Sequence, residues 1–129
     1  MLGQRDTAIA VPSTLKRVLQ EMRDAGGFRL VVLTSTEGLP IASASTQQDG
    51  TITAAVAALL QGVSREAKQE LGLNILDEVV LRTEDQTRLV SRYFTIGDKR
   101  LILAVLVPKG CAYRRLTNKA IREIQSILA

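Results

Sequence analysis

Few residue types able to do chemistry are present, and their spacing limits what they could do. The chain of 129 residues has no histidine and one cysteine, Cys111. Without histidine there is no Ser-His-Asp or Cys-His arrangement, no His-containing zinc site, and no use of the commonest general base. One cysteine cannot build an all-cysteine zinc site within the chain. Asp77, Glu78, Glu84 and Asp85 are the closest carboxylate cluster, and paired carboxylates can do general acid–base work. These four, however, flank a predicted strand and its turn, where charges guard a sheet edge and stay solvated. No G-x-x-x-x-G-K-[ST] stretch and no G-x-G-x-x-G after a strand is found, so no phosphate-binding loop is predicted. The residues therefore name no catalytic, cofactor-binding or metal-binding position, and a chain that is not an enzyme and carries no cofactor is expected.

Lys109, Arg114, Arg115, Lys119 and Arg122 form a basic set near the C-terminus. Nucleic-acid surfaces of this kind interleave stacking aromatics, but the aromatics here are only Phe28, Tyr93, Phe94 and Tyr113. The net charge of +4 is a mild excess, so these residues read as a solvated face and no nucleic-acid partner is expected. A lone cysteine excludes an intrachain disulfide and fits a reducing compartment. The stretch 1–10 is short and carries Arg5 and Asp6, unlike a signal peptide, and the apolar runs are too short to span a bilayer. A cytoplasmic protein without membrane insertion is expected.

Apolar residues make up 46% and charged residues 23% of the chain, a globular balance. Residues 1–12 have no clear period and read as a loose lead-in to a single domain at 13–129. Pro12-Ser13 reads as a helix entry with Ser13 or Thr14 as cap; Leu15, Val18, Leu19 and Met22 follow at helical spacing, and Gly26-Gly27 closes the helix. Strands are predicted at 28–35 and 40–45 around a Glu37-Gly38 turn, then a polar loop at 46–50. A long helix follows at 52–71, stopped by Gly72. Three more strands come at 77–83, 88–95 and 100–107; Glu84-Asp85-Gln86 makes the first turn and Gly97-Asp98 is a two-residue hairpin signal for the second. Pro108 and Gly110 break the last strand. A final helix from about 112 buries Tyr113, Leu116, Ala120, Ile124 and Ile127.

The predicted order is α-β-β-α-β-β-β-α, an α/β sandwich on a five-stranded, mostly antiparallel sheet. The strongly apolar strands 28–35 and 101–107 belong at its centre, and 77–83 and 88–95 nearer an edge. Three helices must cover two faces, which places two on one face and one on the other.

At about 100° per residue, the middle helix puts Ile52, Val56, Leu59, Leu60, Val63, Ala67 and Leu71 in one stripe expected to lie on the sheet. A second arc holds Ala54, Ala55, Ala58 and Gly62, all small and uncharged, and a narrow strip with Gln61, Ser64 and Lys68 looks solvated. Alanines favour helix in any setting; the same arc would also let another helix approach closely. A helix alone on its face has no intramolecular neighbour to cover that arc, so a symmetric dimer is the simplest partner. Val79, Val80 and Leu81, on a partly apolar edge strand, point the same way.

The segments "VVLTSTEGLPIASA" at 31–44, "ITAAVAALLQGVSREAKQELGL" at 52–73 and "RLILAVLV" at 100–107, in this element order, resemble the Roadblock (dynein light chain 7) domain family over about residues 13–129. Glu37-Gly38-Leu39-Pro40-Ile41-Ala42 before an alanine-rich helix is the most specific part; Thr36-Glu37 stands where the family often has Asp. The resemblance implies a homodimer with third strands paired and second helices side by side, forming a platform for small Ras-like GTPases. In bacterial polarity systems such a dimer is a GTPase-activating partner. The interface would hold Ala54, Ala55, Ala58, Gly62, Val79, Val80 and Leu81, and the GTPase would meet Gln61, Arg65 and Lys68. The competing reading is a small-ligand-sensing α/β module, or a scaffold subunit without GTPase contact; sensors enclose aromatic-lined pockets, and aromatics are scarce here.

Overall fold

The computed structural model describes residues 2–45 and 50–129. In chain order the described elements are α1 (Leu2–Gly26), β1 (Leu30–Ser35), β2 (Pro40–Ser45), α2 (Gly50–Gln69), β3 (Glu78–Arg82), β4 (Arg88–Ile96), β5 (Lys99–Val107) and α3 (Arg114–Leu128). This is the order expected from the sequence. The polar stretch expected at 46–50 falls outside the described residues except Gly50, which opens α2. The lead-in expected at 1–12 is corrected from residue 2 onward: α1 runs through it, with Pro12 inside the helix. Pro12 lacks the N–H that would bond back one turn, so it reads as a start signal. Helix formers such as Leu2, Gln4, Arg5 and Ala8 nonetheless carry the helix in from the N-terminal side.

The strands form one antiparallel sheet in the order β2-β1-β5-β4-β3. β5 is central with β1 and β4 beside it, so its seven-residue apolar run at 101–107 is covered on both faces. Alternation along β5 sorts the two layers. Leu101, Leu103, Val105 and Val107 join Val31, Leu33, Val90 and Phe94 against α1 and α3, where Leu15, Val18, Leu19, Met22, Ala120 and Ile124 are buried. Ile102 and Ala104 join Leu30, Val32 and Tyr93 on the opposite face, under Leu60 of α2. The division of helices is thus two and one among the described elements. Two turns follow their local chemistry. Ile96 pairs with Lys99 across Gly97-Asp98, with Gly97 at φ +62°, as a tight hairpin requires. In the β1–β2 turn the Ser35 amide donates to the Leu39 carbonyl at 3.0 Å, and Thr34, fully buried, donates to the same carbonyl at 2.9 Å.

The second layer is the thin one. Strands lie about 4.8 Å apart, so five of them spread over about 19 Å between outer axes, whereas a helix with its side chains is about 10–12 Å wide. α2 packs towards β1 and β2. The β3–β4 side of that face is left without a helix of its own.

Candidate functional site

The rotation of α2 about its axis decides what it presents. Thr53, Ala57, Leu60 and Ala67 are buried against the sheet, with Val56 and Ser64 half-buried beside them. Small Ala57 and Ala67 let the helix sit close to the strands. The expected sheet-facing stripe is therefore corrected in part: Leu60 and Ala67 are buried and Val56 and Val63 half-buried, but Ile52, Leu59 and Leu71 are 38%, 45% and 71% exposed. Hydrophobicity alone misjudged the rotation, because the line that touches the sheet is built from the smaller residues.

On one flank of α2 a groove of about 580 Å³ runs between the helix and β3. Ala58, Leu59, Gly62, Val63, Glu66 and Ala67 line it from the helix, Leu71, Leu73 and Leu76 from the connection, and Val79 from β3. Glu66 is the charged residue among them. Gly62 opens directly onto space, since a Cβ built there meets nothing within 4 Å. Of the seven residues expected at a dimer interface, the groove joins Ala58, Gly62 and Val79. Ala54 and Ala55 lie exposed one turn earlier on the helix. Val80 stands opposite Val90 of the first core, so it faces the α1–α3 side, while Leu81 stands opposite Leu89 on the α2 side. Both are exposed, at 42% and 41%. β3 is the sheet edge, paired with β4 alone among the described strands. Sequence reasoning missed Leu59, Val63, Leu71, Leu73 and Leu76 as groove residues; the signal was the run of large apolar residues continuing past Gly72.

On the opposite flank of α2, Gln61, Arg65 and Lys68 are all exposed and border a second cleft of about 490 Å³. Thr36 and Glu37 close it from the β1–β2 turn, Leu73 to Leu76 from the α2–β3 connection, and Tyr93 and Arg100 from the sheet. The turn meets the helix at Gly38, where a Cβ would lie 3.1 Å from Gln61 Oε1 and where φ is +85°. The positive φ favours glycine, and the close approach to Gln61 adds to that preference. Ser64 Oγ lies 2.9 Å from the Leu60 carbonyl, which can accept its proton, and shares a 2.5 Å hydrogen bond with the hydroxyl of Tyr93, which is mostly buried. Arg100 Nη2 donates to the Leu76 carbonyl at 2.7 Å, and its guanidinium lies 5.9 Å from the Tyr93 ring centroid. The three residues expected to meet a GTPase are thus brought together on one flank, with Tyr93 and Arg100 as neighbours that the sequence did not identify.

Several of the remaining chemistry-bearing residues have local partners. Glu78 lies 3.8 Å from Arg114 and accepts a hydrogen bond from the Tyr113 hydroxyl at 3.3 Å. Asp85 accepts from the Thr83 hydroxyl and, at 3.1 Å, from the Thr87 amide, and those bonds hold its carboxyl below the usual range. Lys119 lies 4.0 Å from Glu123 one helical turn on. Cys111 is half-buried with a free thiol. No cluster suited to a metal ion and no helix long and apolar enough to cross a membrane occurs among the described residues.

A family model, the Roadblock/LC7 domain, matches residues 14–106. No curated protein matches the chain by sequence. Among solved structures the chain is similar to the gliding protein MglB from Thermus thermophilus, at 20% identity and TM-score 0.72, covering 92% of this chain and 91% of that one. It is similar to a structure of MglB with tetrameric arrangement, at 20% identity and TM-score 0.66, covering 92% and 90%. A Roadblock/LC7 domain from Streptomyces avermitilis matches at 21% identity and TM-score 0.65, covering 87% and 92%. Identities this low carry the fold.

Proposed function

The chain belongs to the Roadblock/LC7 domain family, and from that premise we propose that it is a homodimeric regulator of a small Ras-like GTPase, acting without catalytic residues of its own. The observation that carries this reading is the groove beside α2, about 580 Å³ and apolar apart from Glu66. A second copy's α2, laid beside the first, would cover Ala58, Leu59 and Gly62 and extend the layer over the open part of the sheet. Two edges of β3 brought together would also pair the backbone groups that each leaves unpaired. A similar fold that assembles with itself, the tetrameric MglB, is in keeping with such contacts.

The paired helices would present two copies of Gln61, Arg65 and Lys68 to the GTPase. A two-fold platform raises turnover by holding switch loops in a reactive arrangement, and needs no donated arginine. Arg65, the one arginine on α2, is the weaker candidate, for direct contact with nucleotide. The test is GTP hydrolysis by the cognate GTPase, with binding measured in parallel, for wild type, Arg65→Ala and Gln61→Ala/Lys68→Ala. Loss of binding in the double variant alone is the platform result. Lost turnover with intact binding in Arg65→Ala assigns a finger. Wild-type binding that neither variant alters would move the GTPase elsewhere on the protein.

A further inference from the structure

The cleft on the Arg65 flank of α2 has a chemistry that a docking platform does not require. Its volume of about 490 Å³ falls within the roughly 300–1,000 Å³ usual for small-molecule sites. Its walls are mixed: Leu73, Ile75 and Leu76 are apolar, Tyr93 is one of only four aromatics in the chain, and Arg65, Lys68 and Arg100 are cationic. The cations decide what the cleft can hold. Arg65, Lys68 and Arg100 border one cavity, and none of the three has a carboxylate within 4.0 Å among the described residues. Arg100 is also held in place, by the Leu76 carbonyl at 2.7 Å and by the Tyr93 ring, so its other N–H donors are fixed rather than searching. Tyr93 is itself fixed by Ser64.

We infer that this cleft binds a small phosphate monoester with an apolar or planar body. Three cations and the single carboxylate of Glu37 line the cleft, an excess of two positive charges. A phosphate monoester carries about −1.5 to −2 at neutral pH and offers three strong acceptor oxygens, whereas a carboxylate would leave part of that excess unmatched. A guanidinium fork suits phosphate geometry, and the leucines, isoleucine and tyrosine edge accept the body. The site lies on the other flank of α2, sharing Leu73 and Leu76 of the connection with the groove, and needs neither a second copy nor a GTPase to form, so it stands independently of the platform reading. Because Arg65 and Lys68 are also the proposed GTPase contacts, an occupied cleft would compete with that partner, which makes the ligand a regulator.

The test is a titration of the isolated protein, followed by amide and side-chain NMR shifts. Phenyl phosphate is the probe; inorganic phosphate, phenol and benzoate are comparators. The expected result is saturable shifts at Ser64, Leu76 and Tyr93 with phenyl phosphate and weaker binding of all three comparators. Arg65→Met/Lys68→Met and Arg100→Met should each weaken phenyl phosphate by roughly tenfold or more, about 1.4 kcal/mol, while Lys109→Met stays within about twofold. The exposed double variant keeps the test valid if Arg100→Met loses stability. Shifts scattered over surface lysines and arginines, or affinity unchanged in the double variant, would overturn the site. Benzoate binding as tightly as phenyl phosphate would overturn the phosphate assignment. The GTPase is absent throughout, so a negative result here leaves the platform untouched, and a failed platform leaves this site standing.

Discussion

Ser91 is 1% exposed and faces the second layer, opposite Val79 and Ala104, yet its hydroxyl has no hydrogen-bond partner among the described residues. Removing an unpartnered buried hydroxyl relieves a desolvation cost, so Ser91→Ala should stabilise the fold by about 1 kcal/mol, read as a raised Tm in thermal unfolding. Gly38 makes the opposite case. An alanine there would hold φ near +85° and press on Gln61, and should cost about 1–2 kcal/mol in chemical denaturation. The Gly38 turn was legible because Glu37-Gly38 sits between two apolar runs. Arg100 was not legible as a site residue. Its role depends on Leu76 and Tyr93, 24 and 7 residues away in sequence, and no local pattern announces a contact made through the sheet.

At the scale of elements, α2 carries the argument. Ala58→Glu and Gly62→Leu place a charge or bulk on a flank that is open within the protomer: Ala58 is exposed, and a Cβ at Gly62 meets nothing within 4 Å. Ala58→Glu should leave protomer stability within about 0.5 kcal/mol of wild type, as for an ordinary surface change, and Gly62→Leu should raise it by up to about 1 kcal/mol through helix propensity, yet both should abolish self-association at micromolar concentration in sedimentation velocity. An assembly and a Tm both unchanged in Ala58→Glu would mean that no helix approaches there. Element type and order could be read from the sequence because period-two and period-3.6 patterns separate cleanly and Gly97-Asp98 fixes one hairpin. The rotation of α2 could not. Its sheet-facing line, Thr53, Ala57, Leu60 and Ala67, is less hydrophobic than the line through Ile52, Leu59 and Val63, because closeness to the strands, not side-chain size, selects it. Pro12 misled in the same way: a residue that favours a helix start lies inside a longer helix.

For the whole molecule, the asymmetry of the two layers is the organising fact. α1 and α3 close one face over a large core, while α2 alone meets the other over a small one. In the proposed dimer the exposed flank of α2 and the β3 edge would be covered by a second copy of this chain, and the GTPase surface would be built from the pair. Light scattering coupled to size exclusion, on wild-type protein at micromolar concentration, tests it most directly. A mass of about twice the protomer, or an even multiple of it, is the predicted result; a clean monomer at that concentration would contradict the account.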